Sequence, residues 1–199
     1  ELVNGDVPVV TIDHVFNNRM AILSDNVAGT KALVQQAWAC GHRRIAFIHG
    51  EKTSVTENRI AGFYQACEEL GLEIPEEYVR DGVYHDVERC AEETRALLAL
   101  PQRPTCIIFP DDFSALGGYN ALAEAGLSIP EDISVMGYDG IYLSRVVKPS
   151  LVTYQQNTKS LGRLAADKLI ELIEHPRVTL PEQIRVSGKL LDGGSVRIL

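Results

Sequence analysis

Apolar positions along the chain fall into two repeating patterns, short continuous runs and stripes with helical spacing, and the two alternate. Val7–Asp13 (VPVVTID) predicts a strand that ends in an acid, and Phe16–Ser24 reads as extended chain or loop. Asp25 can cap a helix that runs to Ala39 and stops at Gly41. Arg44–Ile48 predicts a strand, Thr56–Leu70 a helix stopped by Gly71, Tyr78–Val83 a short strand and Asp86–Leu98 a helix. Thr105–Phe109 is a strand closed by Pro110, Phe113–Ala125 a helix ending at Gly126, and Ile133–Met136 a second buried strand. Val152–Gln156 is extended, Thr158–Glu174 helical, and Ile184–Leu190 a final strand.

Strands that alternate with helices of this length imply an α/β fold built on a parallel, doubly wound sheet. In such sheets ligands bind just beyond the carboxyl ends of the strands. Asp111 and Asp112 follow one predicted strand and Asp139 follows the next, so the three mark a candidate polar binding site.

Composition narrows the function. The chain of 199 residues has a net charge of −8, which disfavours direct binding to nucleic-acid phosphates. Hydrophobic content of 45% with 23% charged residues fits a globular domain. No apolar run is long enough to span a bilayer and no signal-peptide pattern is visible, so no membrane partner is expected. Cys40, Cys67, Cys90 and Cys106 are widely spaced and read as buried free thiols of a reducing compartment, with a metal site or disulfide as the alternative. The five histidines lack metal-ligand spacing, and HGEKTS (His49–Ser54) lacks the glycine-lysine pattern of a phosphate loop. Neither a dinucleotide fingerprint nor a nucleophile elbow is present, so no cofactor, metal or catalytic residue is expected.

Four segments carry a family resemblance. They are Pro104–Asp139 (PTCIIFPDDFSALGGYNALAEAGLSIPEDISVMGYD), Gly41–Gly50 (GHRRIAFIHG), the R-x-x-G-F of Arg59–Phe63, and Pro149–Leu169 (PSLVTYQQNTKSLGRLAADKL). Together they cover the chain almost end to end. It resembles the effector-binding domain of the lactose/galactose-repressor family of bacterial transcription regulators. The resemblance implies a periplasmic-binding-protein-like type I fold of two subdomains, with a nearly complete C-terminal subdomain and an incomplete N-terminal one. By element order, residues 24–156 plus 182–199 are the C-terminal subdomain, residues 1–23 plus 157–181 are a remnant of the N-terminal subdomain, and the family's helix-turn-helix is absent. The Thr158–Glu174 helix is then expected to show an uncovered apolar face. The partners implied are a small-molecule effector and a second copy of the chain, with DNA reached only through the missing helix-turn-helix, all in the cytoplasm. The Phe113–Ala125 helix and the Ile141–Val147 segment are the candidate dimer surface, or else they finish the core.

Site roles follow residue by residue from the same resemblance. Arg59 is expected to hold ligand hydroxyls or carboxylates through its planar fork, the alternative being an ion pair with Glu57 or a nearby acid. Asp139 is expected to accept from the ligand, or else to form a turn or cap. Asp111 replaces the family's usual Asn at a ligand contact, while Asp112 is expected to cap the following helix. Tyr84 can stack on the ligand, and Phe109 and Phe16 can line the ligand face or pack in the core. Asp13 lies near the cleft on the first-subdomain side, and Gln156 can bond ligand or hinge backbone. Tyr138 and Trp38 read as packing residues, and Asp192, near where the family's closing motif has Arg, receives no role. The family's ligands are most often sugars or sugar phosphates, less often nucleosides or purines. Three acids at the site favour a neutral polyol here. A periplasmic sugar-binding protein of a transport system, which shares the fold, is the alternative.

Overall fold

Neighbouring residues of the central strands feed two separate cores, the signature of a sheet covered on both faces. The computed structural model describes residues 7–16, 19–175 and 182–199. Its elements are β1 (Val10–Ile12), β2 (Met20–Ser24), α1 (Asn26–Ala39), β3 (Ile45–His49), α2 (Ser54–Glu69), β4 (Val79–Asp81), α3 (Val87–Leu98), β5 (Cys106–Ile108), α4 (Ala115–Glu124), β6 (Ser134–Asp139), α5 (Leu143–Val146), β7 (Val152–Gln155), α6 (Thr158–Glu174), β8 (Gln183–Val186) and β9 (Lys189–Leu191). They divide into two compact units, Glu1–Asp25 with Gln156–Gly188, and Asn26–Gln155 with Lys189–Leu199.

The larger unit holds a sheet of order β4-β3-β5-β6-β7-β9, parallel except for the β7–β9 pair. Ile45, Phe47, Ile108, Met136 and Tyr154 pack with Leu33 and Val34 of α1 and Phe63 and Ala66 of α2. Ala46, Ile48, Ile107 and Val135 face the other way, against Cys90 and Leu97 of α3 and Ala115 and Leu122 of α4. Each helix pair can approach closely because one member presents glycine. A side chain at Gly62 of α2 would run into the backbone of Val27 in α1, and one at Gly117 of α4 into the backbone of α3. The helix stops at Gly71 and Gly126 rest on conformation instead, since both have positive φ (64° and 69°) and nothing crowds them.

The smaller unit has a parallel sheet of order β1-β2-β8, with α6 packed on β1 and β2. Leu161 is the buried residue of α6, while Ile170 and Ile173 are 53% and 60% exposed. The apolar face expected on this helix is therefore open along its second half.

Three local expectations change. The run 16–24, read as extended or loop, contains the parallel strand β2, whose Ala21 and Ile22 are fully buried. The single final strand over 184–190 is two strands: β8 pairs with β2, and β9 turns antiparallel onto β7. Residues 182–188 accordingly sit in the smaller unit rather than with the tail of the larger one. The remaining parts of the proposed boundaries, residues 1–6, 17–18 and 176–181, lie outside the described residues.

Candidate functional site

The site is built where β3, β5 and β6 of the larger unit end. Thr53 caps α2 by accepting from the Thr56 amide, and the helix then carries Arg59 inward across the strand ends. Arg59 is only 4% exposed. Its Nε donates to Asn26 Oδ1 at 2.9 Å, one terminal nitrogen donates to the Pro110 carbonyl at 2.6 Å, and the other lies 3.6 Å from Asp139 Oδ1. The guanidinium carbon sits 3.5 Å from the centre of the Tyr138 ring and 5.5 Å from that of Tyr84. A buried cation needs such a shell of acceptors and π-faces, since unpaired it would lose its hydration without replacement. Of the expected alternatives, the pair with Glu57 does not form, while a pair with a nearby acid does, in the buried contact with Asp139.

Asp139 ends β6 with φ of 98°, a conformation rare for a residue with a side chain, and its carboxylate keeps 22% of its surface open. Tyr84 is half-buried: its hydroxyl is 2.9 Å from the Thr56 hydroxyl and its amide donates to Glu51 Oε2 at 2.8 Å. Burial pushes its phenol upward from the ordinary value, so it serves as a neutral ring and hydrogen-bonding group. Beside it, His85 also has positive φ, 59°, and its side chain is 70% exposed. Its ring meets the half-exposed Phe113 edge-on at 6.3 Å. The sequence reading missed His85 and Phe113 as surface of this site. A strand-end aromatic followed by His was visible, but the backbone turn that exposes the ring was not.

Two assignments reverse. Asp111, expected at the ligand, is 1% exposed and caps the turn into α4: its oxygens accept from the Ser114 amide at 2.7 Å, the Ser114 hydroxyl at 2.8 Å and the His85 amide at 2.9 Å. Asp112, expected as the cap, instead ties strand ends together. It accepts from the Thr153 hydroxyl at 2.5 Å and the Ile141 amide at 2.8 Å, and it is also 1% exposed. Burial pushes its carboxyl up to about 7, with the nearby Asp139 and Asp111 charges adding and its two hydrogen bonds opposing. Phe109, expected as a possible ligand contact, is 1% exposed in the core, against Gly118 of α4. The reason is common to all three: the turn after β5 folds under the site and not into it.

Asp13 and Gln156 belong to the smaller unit and converge on Ser24. Asp13 Oδ1 accepts from the Ser24 amide at 2.5 Å, and the Ser24 hydroxyl lies 2.9 Å from Asp13 Oδ2 and 2.7 Å from Gln156 Oε1. Phe16 is 38% exposed and packs edge-on against His14. Tyr138 is buried in the core, while Trp38 is 37% exposed beneath the Arg43 guanidinium.

These features find a family. Residues 34–196 match the periplasmic binding protein-like domain. The ribose operon repressor of Haemophilus influenzae is 35% identical over 85% of the chain, and the probable transcriptional repressor ExuR of Bacillus subtilis is 33% identical over 98% of it. Alignment covers 52% of the first and 59% of the second, so the chain spans little more than half the length of such relatives. Among solved structures, a LacI regulator from Bacillus cereus is similar with a TM-score of 0.90 at 28% identity, covering 100% of this chain and 71% of that one. A LacI-family regulator from Enterococcus faecium with bound ribose gives 0.85 at 27%, covering 96% and 71%. The chain belongs to the periplasmic-binding-protein-like family of domains, as the effector-binding part of a lactose/galactose-repressor family regulator.

Proposed function

We propose that the chain is the sensing part of a transcription repressor and that it takes a neutral, polyhydroxylated ligand, a sugar, at the strand ends of its larger unit. The observation that carries the ligand class is the enclosed Arg59. Its fork is engaged by Asn26, Pro110 and Asp139 and only 4% of the residue is exposed, so little cationic surface is left over for a phosphate or uronate. What the site offers outward is the Asp139 carboxylate, an acceptor for adjacent hydroxyls, together with the Tyr84 and Phe113 rings for the apolar face of a pyranose or furanose. The ribose bound to the Enterococcus faecium regulator supports this class. Asp13 and Gln156, the other polar candidates, meet at Ser24 within the smaller unit.

Regulation would follow from differential affinity. A ligand held more tightly by one arrangement of the domain shifts the population toward it, and a DNA-reading segment like those of the named repressors would respond in the cytoplasm. Titration calorimetry with neutral pentoses and hexoses, sugar phosphates, uronates and nucleobases tests the class. A neutral sugar should bind, and Asp139→Asn should weaken it by about tenfold, the loss of one charge-assisted hydrogen bond. Binding confined to phosphorylated sugars would overturn the reading.

The repressor would act as a homodimer. One face of α4 is spent in the core, with Ala115, Gly117, Gly118, Ala121 and Leu122 buried, while Asn120, Ala123 and Glu124 stay exposed. Exposed apolar surface remains at Ile141 (43%), Tyr142 (81%) and Val146 (52%), and these three side chains, rather than the whole segment, are the proposed contact. Sedimentation should show the wild-type chain self-associating and Tyr142→Glu as a monomer with unchanged thermal stability. Equal masses at all concentrations would exclude this segment.

A further inference from the structure

A cavity of about 430 Å³ opens in the larger unit away from the Arg59 site, lined by Ser144, Arg145, Lys148, Ser150, Leu191 and Asp192. Its walls are stitched by backbone. The Leu151 amide donates to the Ser144 carbonyl at 2.7 Å, and the Gly194 amide donates to the Ser150 carbonyl at 2.8 Å. The buried Ser195 hydroxyl holds the tail in place, accepting from the Val152 amide at 2.8 Å and donating to the Val135 carbonyl at 2.6 Å. The segment after β6 and the tail after β9 therefore meet as fixed walls, and the cavity does not depend on a mobile loop.

Its chemistry is lopsided for this chain. Acids outnumber Lys and Arg by 27 to 19, yet Arg145 and Lys148 both face this one cavity without an ion-pair partner among the described residues. The Ser150 hydroxyl accepts from the Gly194 amide at 3.1 Å and donates to no described residue, which leaves its proton available. Asp192 lines the same cavity, forms no ion pair with either cation, and supplies an acceptor. A planar guanidinium, an ammonium and a hydroxyl donor together suit a phosphate group. A carboxylate on the same cavity suits hydroxyls carried by the same molecule.

We propose that this cavity is a second effector site, for a small phosphorylated polyol, with the phosphate on Arg145, Lys148 and Ser150 and the hydroxyls on Asp192. It differs in ligand class from the strand-end site, whose cation is consumed internally, and it does not rest on that site being a sugar sensor. The departure of Asp192 from the family's closing motif then acquires a role, since an Arg there would remove the hydroxyl acceptor.

Glycerol 3-phosphate, inorganic phosphate and glycerol are the probes, titrated into the full chain and followed by calorimetry. Glycerol 3-phosphate should bind saturably, phosphate more weakly, and glycerol not at all. The double variant Arg145→Gln/Lys148→Gln should weaken glycerol 3-phosphate by at least about tenfold, the loss of charge-assisted bonds. Asp192→Asn should weaken glycerol 3-phosphate but not inorganic phosphate, a split that a general charge effect would not produce. All three positions are exposed, so unchanged thermal unfolding should accompany the loss. Absence of saturable glycerol 3-phosphate binding, or binding that survives the double variant, would overturn the proposal.

Discussion

Replacing Arg59 by methionine is expected to abolish effector binding and to lower stability by about 3–5 kcal/mol, the usual result of breaking a buried ion pair from one side. Methionine keeps the apolar stem, so little of the loss should come from an empty cavity. What disappears is the charge that the Asp139 carboxylate, the Asn26 amide oxygen and the Pro110 carbonyl are arranged around. Asp139 would then stand with a less favourable neighbour at a backbone position that is already strained, at φ of 98°. Arg59→Lys should fall between the two, since an ammonium keeps the charge but cannot span three acceptors in one plane. Urea unfolding and ligand titration of the same variants would check this. A methionine variant with wild-type unfolding midpoint and affinity would remove Arg59 from the centre of the site.

The second large effect is in pH dependence. Asp112 sits 1% exposed beneath the site, and burial raises its carboxyl to about 7 from an ordinary value of 3.8. Its folded value is raised, so the unfolded chain gives up the proton first. The associated stability is fully present below about pH 4, declines as pH rises toward 7 and is lost above it, amounting to about 4 kcal/mol. Asp112→Asn cannot ionise and should abolish that decline. Its amide can accept from Ile141 through oxygen and donate to the Thr153 hydroxyl through nitrogen, so both present partners stay satisfied. Urea midpoints between pH 4 and 8 should therefore diverge, with wild type losing ground to the Asn variant as pH rises. Parallel curves would mean that Asp112 ionises as freely in the fold as outside it.

Both predictions depend on partners far apart in the chain, and this separates what was readable from what was not. Strand and helix positions in the larger unit could be read because each side of the sheet imposes its own period: Ile45 and Phe47 turn to one core, Ala46 and Ile48 to the other. The glycine stops could be read because a positive φ leaves few other residues available. The chance that Asp111, Asp112 and Asp139 would gather at strand ends followed from the alternation of elements alone.

What lay beyond the sequence was the direction in which each of those side chains turned. Asp111 and Asp112 are adjacent acids with the same local propensity, and only the arrival of His85 and Ser114 on one side, and Ile141 and Thr153 on the other, decided which became the cap and which the strand tie. Phe109 could equally have faced a ligand until α4 brought Gly118 against it. The single strand read over 184–190 divides at Ser187-Gly188, because two edges in different sheets, at β2 and β7, claim its two halves. Local sequence determined the period, the stops and the family pattern, since these depend on one residue and its near neighbours. Tertiary structure decided burial, pairing and charge compensation at the site, since each of these depends on groups that only folding brings within a few ångströms.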